Sequence, residues 1–212
     1  MLENRFGIID IGSNTFHLLI VDFDKGGFET VFKLRKFVGL AEEGIKTLSL
    51  TALSRGEEAL SEFKSYLADY QVSNFKAIGT AALRTSTNGA SFVKKIKTDL
   101  GIHIELIDGD READLIFKGV RSITNLDKGN HYIMDIGGGS VEYIHIENGH
   151  KKWAKSFNIG VGVLHNAFEK SNPLSSDDKI NIEEFITSEL AELIAYHKNV
   201  SCDKLILSLI HI

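Results

Sequence analysis

A short pattern occurs twice in this chain and limits what it can fold into. Ile8-Ile9-Asp10-Ile11-Gly12-Ser13 returns as Ile133-Met134-Asp135-Ile136-Gly137-Gly138. Each copy opens as a buried apolar strand that ends in an acid and then a glycine turn. A second strand follows in each, Thr15 to Phe23 and Val141 to Glu147. Hairpin turns come next, at Asp24 to Gly27 and at Asn148-Gly149, leading to third strands from Phe28 to Val38 and from Lys151 to Phe157. A two-copy repeat of this kind predicts an α/β protein of two domains face to face. Asp10 and Asp135 would then sit across one cleft, a place that ligands favour.

The second copy carries the stronger chemistry. In Asp135-Ile136-Gly137-Gly138-Gly139-Ser140-Val141-Glu142, three successive glycines lie between two carboxylates. Glycine lets backbone approach a ligand closely, and successive N–H groups form a concave nest for phosphate oxygens. Asp135 and Glu142 could hold a divalent cation or a water, and Ser140 adds a hydroxyl. The plain alternative is a hairpin turn with incidental acids, and three glycines between two acids weigh against it. Asp10 with Gly12, Ser13 and Asn14 is the matching phosphate-loop candidate in the first copy.

Between the two patterns, apolar spacing predicts a helix from about Thr51 to Tyr70, with Thr51 as its cap. A strand from Phe75 to Thr80 follows, then a helix from Asn88 to Leu100 stopped by Gly101. A strand from Ile102 to Ile107 leads to a helix capped by Asp110 that runs to about Ile123. After the third strand of copy two come a helix near Val161 to Lys170 and a long helix near Ser175 to Asn199. Leu205 to Ile210 reads as a central strand, apolar nearly throughout. The domains are thus expected at residues 1–124 and 125–212, with the shorter second one incomplete in its C-terminal part.

Composition excludes some classes. The net charge of −5 argues against a general nucleic-acid coat, so an anionic ligand must be met by local donors and a cation. Cys202 is the single cysteine, which forbids an internal disulfide and fits a reducing, cytoplasmic setting. No apolar run is long enough to span a bilayer, and Met1 to Arg5 has no signal-peptide core.

Other residues are less specific. Arg84, in Thr80-Ala81-Ala82-Leu83-Arg84, follows a strand and could grip phosphate with two nitrogens, although a lone surface arginine is the commoner case. Glu112 shares a helix face with Leu115, Ile116 and Gly119; partial desolvation there would suit a general base. Simple placement at the positive helix N-terminus explains it equally well. His17 reads as a core or cleft histidine. Lys94, Lys95 and Lys97, and Lys151, Lys152 and Lys155, read as solvated faces that could also rim a polyanion path.

Four of these segments resemble one family. Asp10-Ile-Gly-Ser-Asn-Thr-Phe-His17, Thr80 to Arg84, Arg111-Glu-Ala-Asp-Leu-Ile-Phe-Lys-Gly-Val120 and Asp135 to Glu142 stand in the order and spacing of the exopolyphosphatase / guanosine pentaphosphate phosphohydrolase (Ppx/GppA) family. Ser156-Phe157-Asn158-Ile159-Gly160-Val161-Gly162 is also similar to it. Arg111 stands where members often carry an acid, and Val141 where Thr is usual. The resemblance implies two ribonuclease-H-like domains of the actin/Hsp70/sugar-kinase superfamily around a cleft. It implies Mg²⁺-assisted release of terminal phosphate from inorganic polyphosphate or from pppGpp, with no nucleic-acid or membrane partner and with a homodimer among the open assemblies. By matched position, Glu112 resembles the general base, and Asp135 and Glu142 the acids that hold metal or water, with Asp10 as a further metal ligand. Gly12, Ser13, Asn14, Arg84, Gly137, Gly138, Gly139 and Ser140 resemble the phosphate binders. The family continues beyond the segments found here, with a further glycine-rich loop and helices. Two alternatives stay open: an ATP-dependent kinase or ATPase of the same superfamily, and a module that senses polyphosphate, pppGpp or ppGpp without turnover.

Overall fold

The computed structural model describes residues 4–24, 27–168 and 171–209, and the chain divides into two compact units, 1–107 and 108–212. In the first unit, β1 (Arg5–Ile11), β2 (Thr15–Asp24) and β3 (Gly27–Phe37) form an antiparallel meander. Helix α1 (Leu50–Asp69) leads to β4 (Asn74–Gly79), then to short α2 (Ala81–Thr85) and α3 (Gly89–Leu100), and on to β5 (Ile104–Leu106). The sheet order is β3-β2-β1-β4-β5. In the second unit, α4 (Gly109–Ile123) precedes the meander of β6 (Asn130–Ile136), β7 (Val141–Glu147) and β8 (His150–Phe157). Then come α5 (Val161–Phe168), α6 (Ser176–Glu189), α7 (Ala191–His197) and β9 (Lys204–Leu209), in the sheet order β8-β7-β6-β9.

Strand alternation builds both cores. In the first unit Ile9, Ile11, Phe16, Leu18 and Ile20 face α1 and α3 through Leu60, Phe63, Phe92 and Ile96. Their strand neighbours Asp10 and His17 are exposed on the other face. The second sheet is covered on both faces. Ile133, Ile144 and Ile146 pack with Ala113, Ile116, Phe117 and Val120 of α4. Val141, Phe157, Met134 and Tyr143 pack with Phe185 and Ile186 of α6 and with Leu190 and Leu193. Each fully buried side chain of the size of Ile133 or Ile144 contributes roughly 1.5–3 kcal/mol.

The repeat extends to fine detail. Each β-meander carries a bulge at the matching place, between Ile20 and Val21 and between His145 and Ile146. Gly12 N–H donates to Thr15 O at 3.1 Å, and Gly137 N–H to Ser140 O at 2.9 Å. A Cβ on either glycine would lie 2.8 Å from that same carbonyl oxygen, so the tight turn demands glycine in both copies.

Several expectations from sequence are displaced. Helix α4, expected within a first domain ending at residue 124, packs against β7 and β8 of the second unit. Asp108, not Asp110, caps it, because Asp108 is extended and its carboxylate accepts from Arg111 N. Ser49, not Thr51, caps α1 by the same device, accepting from Ala52 N. Gly101 does stop α3, at φ 69°. The long helix expected from Ser175 to Asn199 breaks at Leu190, whose ψ of 8° ends α6 before α7 begins. Lys170, the expected end of α5, and Ile210, the expected end of the last strand, lie outside the described residues, as do Lys25 and Gly26 of the first hairpin. Strand β9 is apolar in sequence, yet among the described residues it pairs with β6 alone and forms a sheet edge. Leu205 and Leu207 are 52% and 53% exposed there.

Candidate active site

The second unit assembles a row of polar side chains across its sheet. Asp135 on β6 lies directly opposite Glu142 on β7, and Glu142 lies opposite Ser156 on β8. Ser208 on β9 flanks Asp135 from the other side. The row shares the face of Ile133 and Ile144, two residues away along each strand, and so lies on the face that α4 covers. Opposed Cβ atoms in such pairs stand about 4.5–5.5 Å apart, close enough for two carboxylates to share one ligand. Glu142 is 1% exposed, and Ser156 Oγ donates to its Oε1 at 2.6 Å.

The glycine loop closes over the end of this row. The carbonyl oxygens of Gly137, Gly138 and Gly139 accept from the N–H groups of Val161, Gly162 and Gly160. Those bonds use carbonyl oxygens and Gly137 N–H is spent on Ser140 O, so the N–H groups of Gly138 and Gly139 are the loop's candidates for an anion nest. Gly160 fits so tightly that a Cβ there would stand 2.5 Å from the carbonyl carbons of Gly138 and Gly139. Ser140, next in the loop, is buried.

Helix α4 brings Glu112 to the same end of the sheet. A Cβ on Gly109 would lie 2.6 Å from Ser156 Cβ, so the first residue of α4 rests on the row. Glu112 follows within one turn and is half-buried. The apolar stripe of α4 is Ala113, Ile116, Phe117 and Val120, one residue round from the face expected for Glu112. Glu112 therefore flanks the stripe instead of sitting within it.

The first unit presents the counterpart. Asp10 lies opposite His17, and His17 opposite Arg35. His17 Nδ1 stands 3.6 Å from Asp10 Oδ2, and both side chains are about half exposed, so His17 is neither a core residue nor closely bonded. In the adjoining loop, Ser13 O accepts from Ala41 N–H, and Asn14 O from the N–H groups of Val38 and Gly39. Thr15 Oγ1 is buried there with no hydrogen-bond partner among the described residues. Thr80 N–H donates to Ile11 O, which sets the start of α2 beside this loop. Arg84, on α2, donates from Nη1 to Ile107 O at 2.7 Å.

The candidate residues thus fall into two sets. Glu112, Asp135, Gly137 to Ser140 and Glu142 gather in the second unit; Asp10, Gly12, Ser13, Asn14 and Arg84 belong to the first. Among the described residues no three His, Cys, Asp or Glu side chains form a metal-binding group. The pair Asp135 and Glu142 nonetheless suits Mg²⁺, which takes one or two carboxylates together with phosphate oxygens. Four of the six lysines in the two runs are ion-paired. Lys95 pairs with Glu57 and Asp99, and Lys151, Lys152 and Lys155 pair with Asp114, Glu147 and Glu192. No described helix is long and apolar enough to cross a membrane.

Ser156 is the site residue that sequence reasoning left without a role. An unbulged hairpin at Asn148-Gly149 would set Lys155 opposite Glu142. The bulge between His145 and Ile146 moves the register by one and installs Ser156 instead.

Comparison with known proteins agrees with this architecture. The model of the Ppx/GppA phosphatase family matches residues 19–208. A guanosine-5'-triphosphate,3'-diphosphate pyrophosphatase of Vibrio cholerae is 39% identical over 157 residues, which is 73% of this chain and 31% of that protein. One from Vibrio vulnificus is 34% identical over 200 residues, 93% of this chain and 40% of its own length. The crystal structure of an exopolyphosphatase from Cytophaga hutchinsonii superposes with a TM-score of 0.92 at 34% identity, over 96% of this chain and 66% of that one. The chain therefore spans about a third of the length of the curated relatives it matches.

Proposed function

The chain belongs to the Ppx/GppA phosphatase family, and from that premise we propose that it forms part of a phosphohydrolase that removes terminal orthophosphate from phosphoanhydride chains. The substrate class is inorganic polyphosphate, pppGpp or both. The observation that carries the reading is the Asp135–Glu142–Ser156 row, with Glu142 buried at its centre, set between a glycine loop and the N-terminal turn of α4.

Each residue has a task that its chemistry suits. The loop from Gly137 to Gly139, through the N–H groups of Gly138 and Gly139, holds phosphate oxygens together with Ser140. Gly12, Ser13, Asn14 and Arg84 are the corresponding phosphate-binding candidates of the first unit. Asp135 and Glu142 would hold Mg²⁺, which when bound would neutralise charge on the phosphates, and Asp10 is the first unit's own candidate ligand. Glu112 accepts a proton from the attacking water. The water oxygen bonds to the terminal phosphorus, the bridging P–O bond breaks, and the shortened chain leaves with the bridging oxygen. Little else is asked of a protein in this reaction beyond positioning and charge stabilisation. A cytoplasmic setting and a homodimer belong to the same proposal.

The test is phosphate release by the full-length protein from polyphosphate and from pppGpp, with Mg²⁺ and with excess EDTA. Release from chain ends that EDTA abolishes is the expected result. Cleavage in mid-chain, or activity indifferent to EDTA, would refute it. Binding of either substrate without release would favour the sensor.

A further inference from the structure

We propose that Ser156 is a positioning residue that holds Glu142 in place and seats the start of α4, with Glu112, on the acid row. The roles of Glu142 and Glu112 rest on the phosphohydrolase reading above.

The first observation is the bond itself. Glu142 is almost wholly buried, and the Ser156 hydroxyl donates to its Oε1 at 2.6 Å. A short hydrogen bond to a carboxylate is among the stronger polar contacts in proteins. The contact fixes the rotamer of an acid that must point at a ligand.

The second observation is what the bulge replaces. In the unbulged register Lys155 would face Glu142, and its ammonium would compete with any bound cation for the carboxylate. The bulge turns Lys155 to the other face, where it pairs with Glu192. A hydroxyl in its place orients the acid without neutralising it. The same bulge occurs in the first copy, where it sets Arg35 opposite His17. One inherited irregularity thus serves a neutral donor in one unit and a cation in the other.

The third observation is the seat. Ser156 Cβ touches Gly109 so closely that a Cβ on the glycine would overlap it at 2.6 Å. The height of α4 above the sheet at this end is therefore set by one small residue on each side. Glu112 lies within a turn of that contact, so Ser156 fixes two acids at once.

The experiment uses the full-length protein and two readouts. Mn²⁺, as a paramagnetic stand-in for Mg²⁺, is titrated without substrate, and phosphate release is followed with it. Ser156→Ala should weaken Mn²⁺ binding roughly 10–100-fold, the usual loss when a partner of a metal ligand is removed. It should lower kcat by a similar factor and move KM by less than about twofold, a pattern that marks loss of transition-state interactions. Ser156→Thr, which keeps the hydroxyl, should recover most of the Mn²⁺ affinity but not kcat, because its added methyl presses on Gly109. Added to Glu142→Gln, Ser156→Ala should cause no further loss in either readout, because the two act as one unit. Gly109→Ala should lower kcat about 10- to 100-fold by lifting Glu112, since a shift of about 1 Å costs that much. Unchanged Mn²⁺ affinity in Ser156→Ala, full additivity with Glu142→Gln, or full activity in Gly109→Ala would overturn the proposal. A wild type that binds Mn²⁺ but releases no phosphate would sink the activity and leave the Mn²⁺ arm to decide Ser156. A wild type that binds no Mn²⁺ would overturn the proposal directly.

Discussion

Gly137→Ala should both destabilise the protein and disable the phosphate loop, and the structure sets the size of the effect. A methyl group at this position would stand 2.8 Å from Ser140 O, a backbone atom that cannot swing aside as a side-chain tip can. Relief requires opening the turn, and the turn is closed by the 2.9 Å bond from Gly137 N–H to that same oxygen. Losing such a bond costs about 0.5–1.5 kcal/mol, and forcing an extra methyl group into a packed site costs about 1–3 kcal/mol. The combined loss is about 1.5–4.5 kcal/mol. For a chain of this size each kcal/mol moves the melting temperature by about 2–4 °C, so the variant should melt about 3–18 °C lower. Gly119→Ala is the control, because Gly119 lies within α4 with nothing inside 4 Å of its added Cβ. Exposed helical Gly→Ala gains roughly 0.5–1 kcal/mol, so the control should melt slightly higher. Calorimetry on both variants, with phosphate release measured beside it, is the assay. If Gly137→Ala melts with the wild type and keeps its turnover, the tight turn is not what holds this site.

Further predictions follow from single contacts. Glu112→Gln should leave polyphosphate binding nearly intact and lower turnover by roughly two to four orders of magnitude if the residue takes the proton; near-full turnover would reduce it to a helix-dipole acid. Ser49→Ala should cost about 1 kcal/mol through loss of the α1 cap, seen as a small drop in urea midpoint with an unchanged slope. Burial holds the imidazole of His145 below its ordinary value of 6.5, against a smaller opposing pull from Glu147, while Lys152 and His197 push it further down. Its ring bonds Tyr196 Oη and Asn130 Oδ1, which ties α7 to the sheet. A depressed folded pKa means that the unfolded chain takes the proton first. This contribution to stability is therefore present above about pH 6.5 and lost as the pH falls through the folded value. Melting temperature should fall on acidification below that point, and His145→Gln should flatten the fall; equal slopes in the two proteins would refute the assignment.

The limits of the sequence reading lie where a local rule meets a register. Apolar alternation and the doubled Asp-x-Gly pattern are local, and the two antiparallel meanders form where that pattern puts them. Helix caps are local too, but Ser49 and Thr51, or Asp108 and Asp110, satisfy the same rule two residues apart. Backbone dihedrals set by the preceding loop decide between them. The place of α4 is not local at all. Its stripe of Ala113, Ile116, Phe117 and Val120 fits any apolar sheet face, and only packing assigns it to β7 and β8. The bulge goes further still. Nothing in Glu142-Tyr143-Ile144-His145-Ile146 marks a slip, yet one extra residue on β8 exchanges a lysine for a serine opposite the buried acid. An even hairpin would have given Glu142 an internal counter-ion and taken one negative charge out of the row. The slip keeps that charge in the row, held by a hydroxyl and flanked by a glycine loop, and so turns an ordinary strand pair into a candidate phosphate-handling site.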